Sequence, residues 1–134
     1  MIYILEGIHG GGKTTYANTL NLPILHRCYS RLEGVKNELE DKDNVVYDRL
    51  FSLAYINNTD EDITSLNNYL KSLDNVKCLM FICDKELGWQ RECDKHRNFV
   101  TREEYDRVYD GILNLISKMD VFEVIDTTNT HEDI

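Results

Sequence analysis

Apolar runs alternate with segments of helical periodicity from one end of the chain to the other. Residues 2–5 (IYIL) form an unbroken apolar run that enters a glycine-rich turn, which predicts a buried strand. A helix is predicted next, through about Leu20, stopped by Asn21 and Pro23. Residues 23–27 predict a second short strand, 31–41 a helix, and 44–48 (NVVYD) a strand that ends on an acid. Two helices are expected over 49–57 and 60–73. Residues 76–83 (VKCLMFIC) are apolar almost throughout, as in a strand covered on both faces. After a charged stretch at 84–98, Thr101 and Glu104 form the signature of a capping box. The helix it opens carries Tyr105, Val108, Tyr109, Ile112, Leu115, Ile116 and Met119 at three- and four-residue spacings. A last strand is predicted over 121–126. Five short strands separated by helices imply an α/β fold with a parallel sheet and right-handed crossovers. No linker, repeat or biased tract interrupts the pattern, so residues 1–134 are read as a single domain.

Composition narrows the function classes. With 134 residues, 42% apolar and 29% charged, and only 7 Gly and 1 Pro, collagen-like, low-complexity and wholly disordered chains are excluded. No apolar run approaches the roughly 20 residues needed to span a bilayer, and the first residues lack a basic n-region. A cytoplasmic domain is therefore expected. The net charge of -9 argues against a binder of long nucleic acid. Yet six of the 15 cations (Lys85, Arg91, Lys95, Arg97, Arg102, Arg107) cluster in sequence, a distribution suited to a small anion. Cys28, Cys78, Cys83 and Cys93 show no C-x-x-C pair and no histidines at zinc spacing, and read as free thiols in a reducing compartment.

The chemistry is concentrated in Gly7-Ile8-His9-Gly10-Gly11-Gly12-Lys13-Thr14, which fills every position of the phosphate-loop pattern G-x-x-x-x-G-K-[ST] between a strand and a helix. Glycines let backbone N–H groups converge on phosphate oxygens, and the helix N-terminus adds its positive end. Lys13 would reach the β- and γ-phosphates of ATP, and the Thr14 hydroxyl would ligate Mg²⁺. Asp48, at a strand end, is placed for a second Mg²⁺ contact.

These residues resemble the thymidylate kinase family of deoxynucleoside monophosphate kinases. The stretch from Glu6 through Thr15 is similar to their phosphate loop, and Asp48-Arg49-Leu50-Phe51-Ser52-Leu53-Ala54-Tyr55 to their D-R-x-x-x-S-x-x-A-Y motif. The resemblance implies the P-loop nucleoside monophosphate kinase fold: a five-stranded parallel sheet in order 2-3-1-4-5, flanked by helices, with a short lid. It implies ATP contacts at Gly7, Gly10, Gly11, Gly12, Lys13, Thr14, Thr15 and Thr127. Acceptor contacts would come from His9, Arg27, Arg49 and Tyr55, and Mg²⁺ contacts from Thr14 and Asp48. The lid would span 91–98, with Arg91 and Arg97 joining Lys13 and Arg49 in catalysis. His9 stands where these kinases usually carry Asp or Glu, Arg27 is followed by Cys28-Tyr29 in place of Glu-Pro, and Ile56 replaces the usual Gln.

The expected activity is transfer of the ATP γ-phosphoryl group to a deoxynucleoside monophosphate, with dTMP as the favoured acceptor. The alternatives are a deoxynucleoside kinase acting on a 5′-hydroxyl, and a degenerate nucleotide-binding P-loop module. Expected partners are small-molecule nucleotides, without long nucleic acid or membrane; a homodimer is admissible. His26 and Tyr29 are candidates for the acceptor side, Trp89 reads as packing, and the acids at 38–43 (ELEDKD) as a solvated helix end.

Overall fold

The computed structural model describes residues 1–8, 11–94 and 101–129. The strands are β1 (Ile2–Gly7), β2 (Ile24–Leu25), β3 (Val45–Asp48), β4 (Val76–Ile82) and β5 (Glu123–Asp126). The helices are α1 (Lys13–Asn18), α2 (Leu32–Leu39), α3 (Ser52–Tyr55), α4 (Asp60–Lys71), α5 (Lys85–Asp94) and α6 (Arg102–Lys118). All strand pairs are parallel, in the order β2-β3-β1-β4-β5. This is the expected architecture and strand order.

Alternation along the central strands divides the core into two layers. Ile2, Ile4, Tyr47, Cys78 and Met80 face one side, where Val35, Leu66, Ile112 and Leu115 cover them from α2, α4 and α6. Leu5, Val46, Leu79 and Phe81 face the other, against Ala17 of α1. Because β1 lies between β3 and β4, Leu5 pairs with Asp48 and Gly7 with Phe81. The ends of these three strands therefore meet at one edge of the sheet, the usual ligand crevice of an open α/β fold.

Several boundaries differ from expectation for identifiable reasons. α3 begins at Ser52, not at residue 49, because Arg49 takes a left-handed backbone (φ 75°) that a helix cannot include. Asp41 (φ 64°) and Asn21 (φ 55°) are likewise left-handed, beyond the ends of α2 and α1. Pro23 has no N–H for a ladder, and β2 proper is only Ile24–Leu25, although Arg27 N and Tyr29 N still bond Arg49 O and Leu50 O at 3.1 and 2.9 Å. The charged stretch contains a helix, α5, that apolar periodicity did not predict. Its buried residues are Gly88, Arg91 and Glu92. The Thr101 cap forms as predicted, its hydroxyl accepting from Glu104 N at 3.1 Å. Trp89 packs against Tyr105 at 5.4 Å between ring centres, with the Arg102 guanidinium over its face. Among the described residues, no helix is long and apolar enough to cross a membrane.

Candidate active site

β1 delivers the phosphate loop under tight steric control. At Gly7 (φ 152°) a Cβ would lie 2.3 Å from Phe81 O, so only glycine lets the chain leave the sheet beside β4. Ile8 N then bonds Phe81 O at 3.2 Å, and Gly12, left-handed at φ 87°, starts α1. His9 and Gly10 lie outside the described residues.

The first turn of α1 brings Lys13 and Thr14 to the end of β3. Lys13 Nζ is 2.5 Å from Asp48 Oδ1, and the Thr14 hydroxyl donates to Asp48 Oδ2 at 3.1 Å. The ammonium and the carboxylate are 10% and 8% exposed, so water screens this pair weakly. Burial alone would push the Asp48 carboxyl up, but the Lys13 charge and the two hydrogen bonds hold it below its ordinary value. Burial, together with the Arg49 charge, lowers Lys13 against the opposing pull of Asp48. His26, exposed at the mouth, places Nδ1 3.3 Å from Asp48 O.

Arg49 and Glu6 brace the two motifs against each other. Arg49 Nη1 donates to Gly7 O at 2.7 Å and lies 3.5 Å from Ser52 Oγ, while Arg49 N bonds Leu5 O at 2.9 Å. In return Glu6, fully buried, accepts from Leu50 N, Phe51 N and Ser52 N at 2.7, 3.1 and 3.2 Å. Burial raises the Glu6 carboxyl despite those bonds and the Arg49 charge. Sequence reasoning quoted Glu6 only as part of the loop motif and gave it no role.

The other expected site residues are dispersed. Arg27 donates Nε to Glu38 Oε1 at 3.1 Å. The same carboxylate accepts from the Tyr29 and Tyr47 hydroxyls, both at 2.7 Å. Glu38 is thus a largely buried hub (8% exposed), which corrects its reading as part of a solvated helix end. Tyr55 is buried to 1% and packs edge-on against Phe51 at 5.5 Å between ring centres. Arg91 lies on the last turn of α5, buried, with Nη1 and Nη2 donating to Thr127 Oγ1 and O at 3.2 and 3.0 Å. Arg97 and the rest of the expected lid beyond Asp94 lie outside the described residues. Thr15 is exposed on α1, and Thr127 is buried beneath the phosphate loop, where its hydroxyl meets Gly11 O at 2.9 Å.

Among the described residues, no three His, Cys, Asp or Glu side chains gather to hold a metal ion. Thr14 Oγ1 and Asp48 Oδ2 are nevertheless hard oxygen donors of the kind Mg²⁺ takes when phosphates and water complete its shell. The residues present fit that ion.

The arrangement is the P-loop kinase fold. No protein-family model matches the chain, and no curated protein matches it in sequence. Solved structures match it throughout. The YorR protein from Bacillus subtilis, in complex with phosphorylated GDP, is 17% identical, with a TM-score of 0.71 over 99% of this chain and 89% of that one. A deoxyadenosine kinase from M. mycoides with bound dATP is 13% identical, with a TM-score of 0.63 over 94% and 91%. Shikimate kinase from Aquifex aeolicus is 17% identical, with a TM-score of 0.52 over 99% and 89%.

Proposed function

We propose that this chain transfers the γ-phosphoryl group of ATP to a deoxynucleoside monophosphate, with dTMP as the favoured acceptor. The observation that carries the reading is the convergence of Lys13 and Thr14, on the first turn of α1, with Asp48 at the end of β3, the Lys13 and Asp48 side chains being little exposed to water. On ATP binding, Lys13 exchanges its contact with Asp48 for the β- and γ-phosphates, and backbone N–H groups of the loop take the remaining oxygens. Thr14 and Asp48 are the residues that would hold Mg²⁺, which when bound supplies charge neutralisation at those phosphates.

A monophosphate acceptor is already anionic and nucleophilic at neutral pH, so the protein needs only to position it and offset charge. That suits this site. Among the described residues, Asp48 and Glu6, the acids whose charges act on Lys13, are both already engaged in hydrogen bonds. Arg49 is the proposed acceptor-phosphate ligand, and Arg97 the proposed contact to the transferring group. Four free cysteines fit a cytoplasmic reaction.

A deoxynucleoside kinase is the second reading. It is favoured by the engagement of Arg27 with Glu38, which leaves fewer cations for an acceptor phosphate. The kinetics of Arg49→Ala separate the two. The variant is expected to raise KM for dTMP at least tenfold more than KM for ATP, because a charge-assisted hydrogen bond is worth about 1.5–3 kcal/mol. Equal losses toward both substrates would remove Arg49 as the acceptor-phosphate ligand and leave it as a brace of the loop, and wild-type turnover of thymidine would replace the monophosphate reading with the nucleoside one.

A further inference from the structure

We propose that Arg91 and Thr127 are positioning residues for the phosphate loop, forming a directional relay that pins the Gly11 carbonyl and so aims the Gly12 N–H. The proposal rests on the reading of this loop as the donor-nucleotide site. It gives Arg91 a role distinct from contact with the transferring phosphoryl group.

The direction follows from donor chemistry. A guanidinium only donates, so the Thr127 hydroxyl must accept from Arg91 Nη1 at 3.2 Å. Its single proton then goes to a carbonyl. Gly11 O lies 2.9 Å away and Ile82 O 3.3 Å, and Ile82 O already accepts Thr127 N at 2.8 Å. Gly11 is therefore the better-placed acceptor. A second bond, from Arg91 Nη2 to Thr127 O at 3.0 Å, fixes the threonine backbone as well. Arg91 and Thr127 are 8% and 7% exposed, so bulk water cannot readily take over either contact.

The consequence for the loop is geometric. The Gly11–Gly12 peptide is trans and planar, so the carbonyl of Gly11 and the N–H of Gly12 point in opposite directions. Holding the oxygen toward Thr127 directs the N–H to the other face of the loop. Glycine peptide planes rotate at little steric cost, and residues 10–12 are all glycine. A loop of that composition needs an outside group to keep its donors aligned before ATP arrives, and preorganised donors bind better than donors that must be turned.

Titration calorimetry of the full chain with Mg-ATP, alone and without acceptor, tests the relay. Thr127→Val keeps the shape and loses the hydroxyl, and is expected to weaken ATP binding about tenfold. Thr127→Ser, which keeps the hydroxyl, restores most of that affinity. KM for the acceptor is expected to stay within about twofold in both, which a general loss of structure would not allow. Arg91→Ala is expected to cost a similar factor in wild type and less than twofold in the Thr127→Val background, because Arg91 reaches Gly11 O through the Thr127 hydroxyl and its second bond, to the residue 127 carbonyl, does not touch the loop. If Arg91→Ala fails to fold, the Thr127→Val and Thr127→Ser pair decides alone. Wild-type ATP affinity in Thr127→Val would overturn the relay while leaving the donor site standing. A full additional loss from Arg91→Ala in the Val background would show that Arg91 acts independently of Thr127 and also overturn it. Absence of ATP binding by the unaltered chain would remove the donor-site reading and the relay with it.

Discussion

Lys13→Ala is expected to lower kcat for phosphoryl transfer by about 10²- to 10³-fold, the range seen when one preorganised charge-stabilising donor is removed from an active site. Lys13 is 10% exposed, beside a carboxylate and near the Arg49 charge. In such a site its ammonium acts with little screening on the charge that shifts during transfer. Alanine also leaves Asp48 without its closest cation, so the carboxyl loses the main influence that holds it down, and its pKa rises. Circular dichroism and a thermal melt must show the variant folded. Steady-state turnover then measures the loss. A folded Lys13→Ala chain with wild-type kcat would contradict the assignment of the phosphate loop.

The largest expected effect on stability belongs to Glu6. Glu6→Ala deprives Leu50, Phe51 and Ser52 of the acceptor for their N–H groups and removes a buried negative charge that opposes the desolvation of Arg49. Buried donors left unsatisfied cost about 1–3 kcal/mol each, and an uncompensated buried charge about 3–5 kcal/mol. Entry of water and relaxation of the short α3 offset part of this, so a net loss of about 3–5 kcal/mol is expected. Glu6→Gln keeps one carbonyl acceptor and should lose less. Urea denaturation gives the difference directly. A loss under about 1 kcal/mol in Glu6→Ala would mean that the turn after β3 holds its shape without the carboxylate.

What the sequence made legible was what chemistry requires to be local. The phosphate loop must place glycines, a lysine and a hydroxyl within eight consecutive residues, and the structure brings Lys13 and Thr14 to Asp48. Strand order followed from resemblance, and the apolar runs located β1, β3 and β4 because both faces of a central strand are covered. Features made by distant residues were not legible. Glu38 sits in an acidic run that reads as solvent-facing, and only the arrival of Tyr29, Tyr47 and Arg27 from other segments makes it a hub. α5 escaped because its buried positions are Gly88, Arg91 and Glu92, and the partly buried Leu87 and Trp89 alone make no helical apolar repeat. Glu6 was hidden by position. A single acid at the end of an apolar strand gives no signal of the three N–H groups it meets 44 to 46 residues later.

The most direct measurement is a competition. The full chain is incubated with Mg²⁺, γ-labelled ATP and equimolar dTMP and thymidine, and the labelled products are separated. The proposed activity predicts label in the nucleoside diphosphate, dependent on Lys13, with thymidine left unlabelled. Label appearing in thymidine monophosphate, or in neither acceptor across all four deoxynucleotides and their nucleosides, would contradict it.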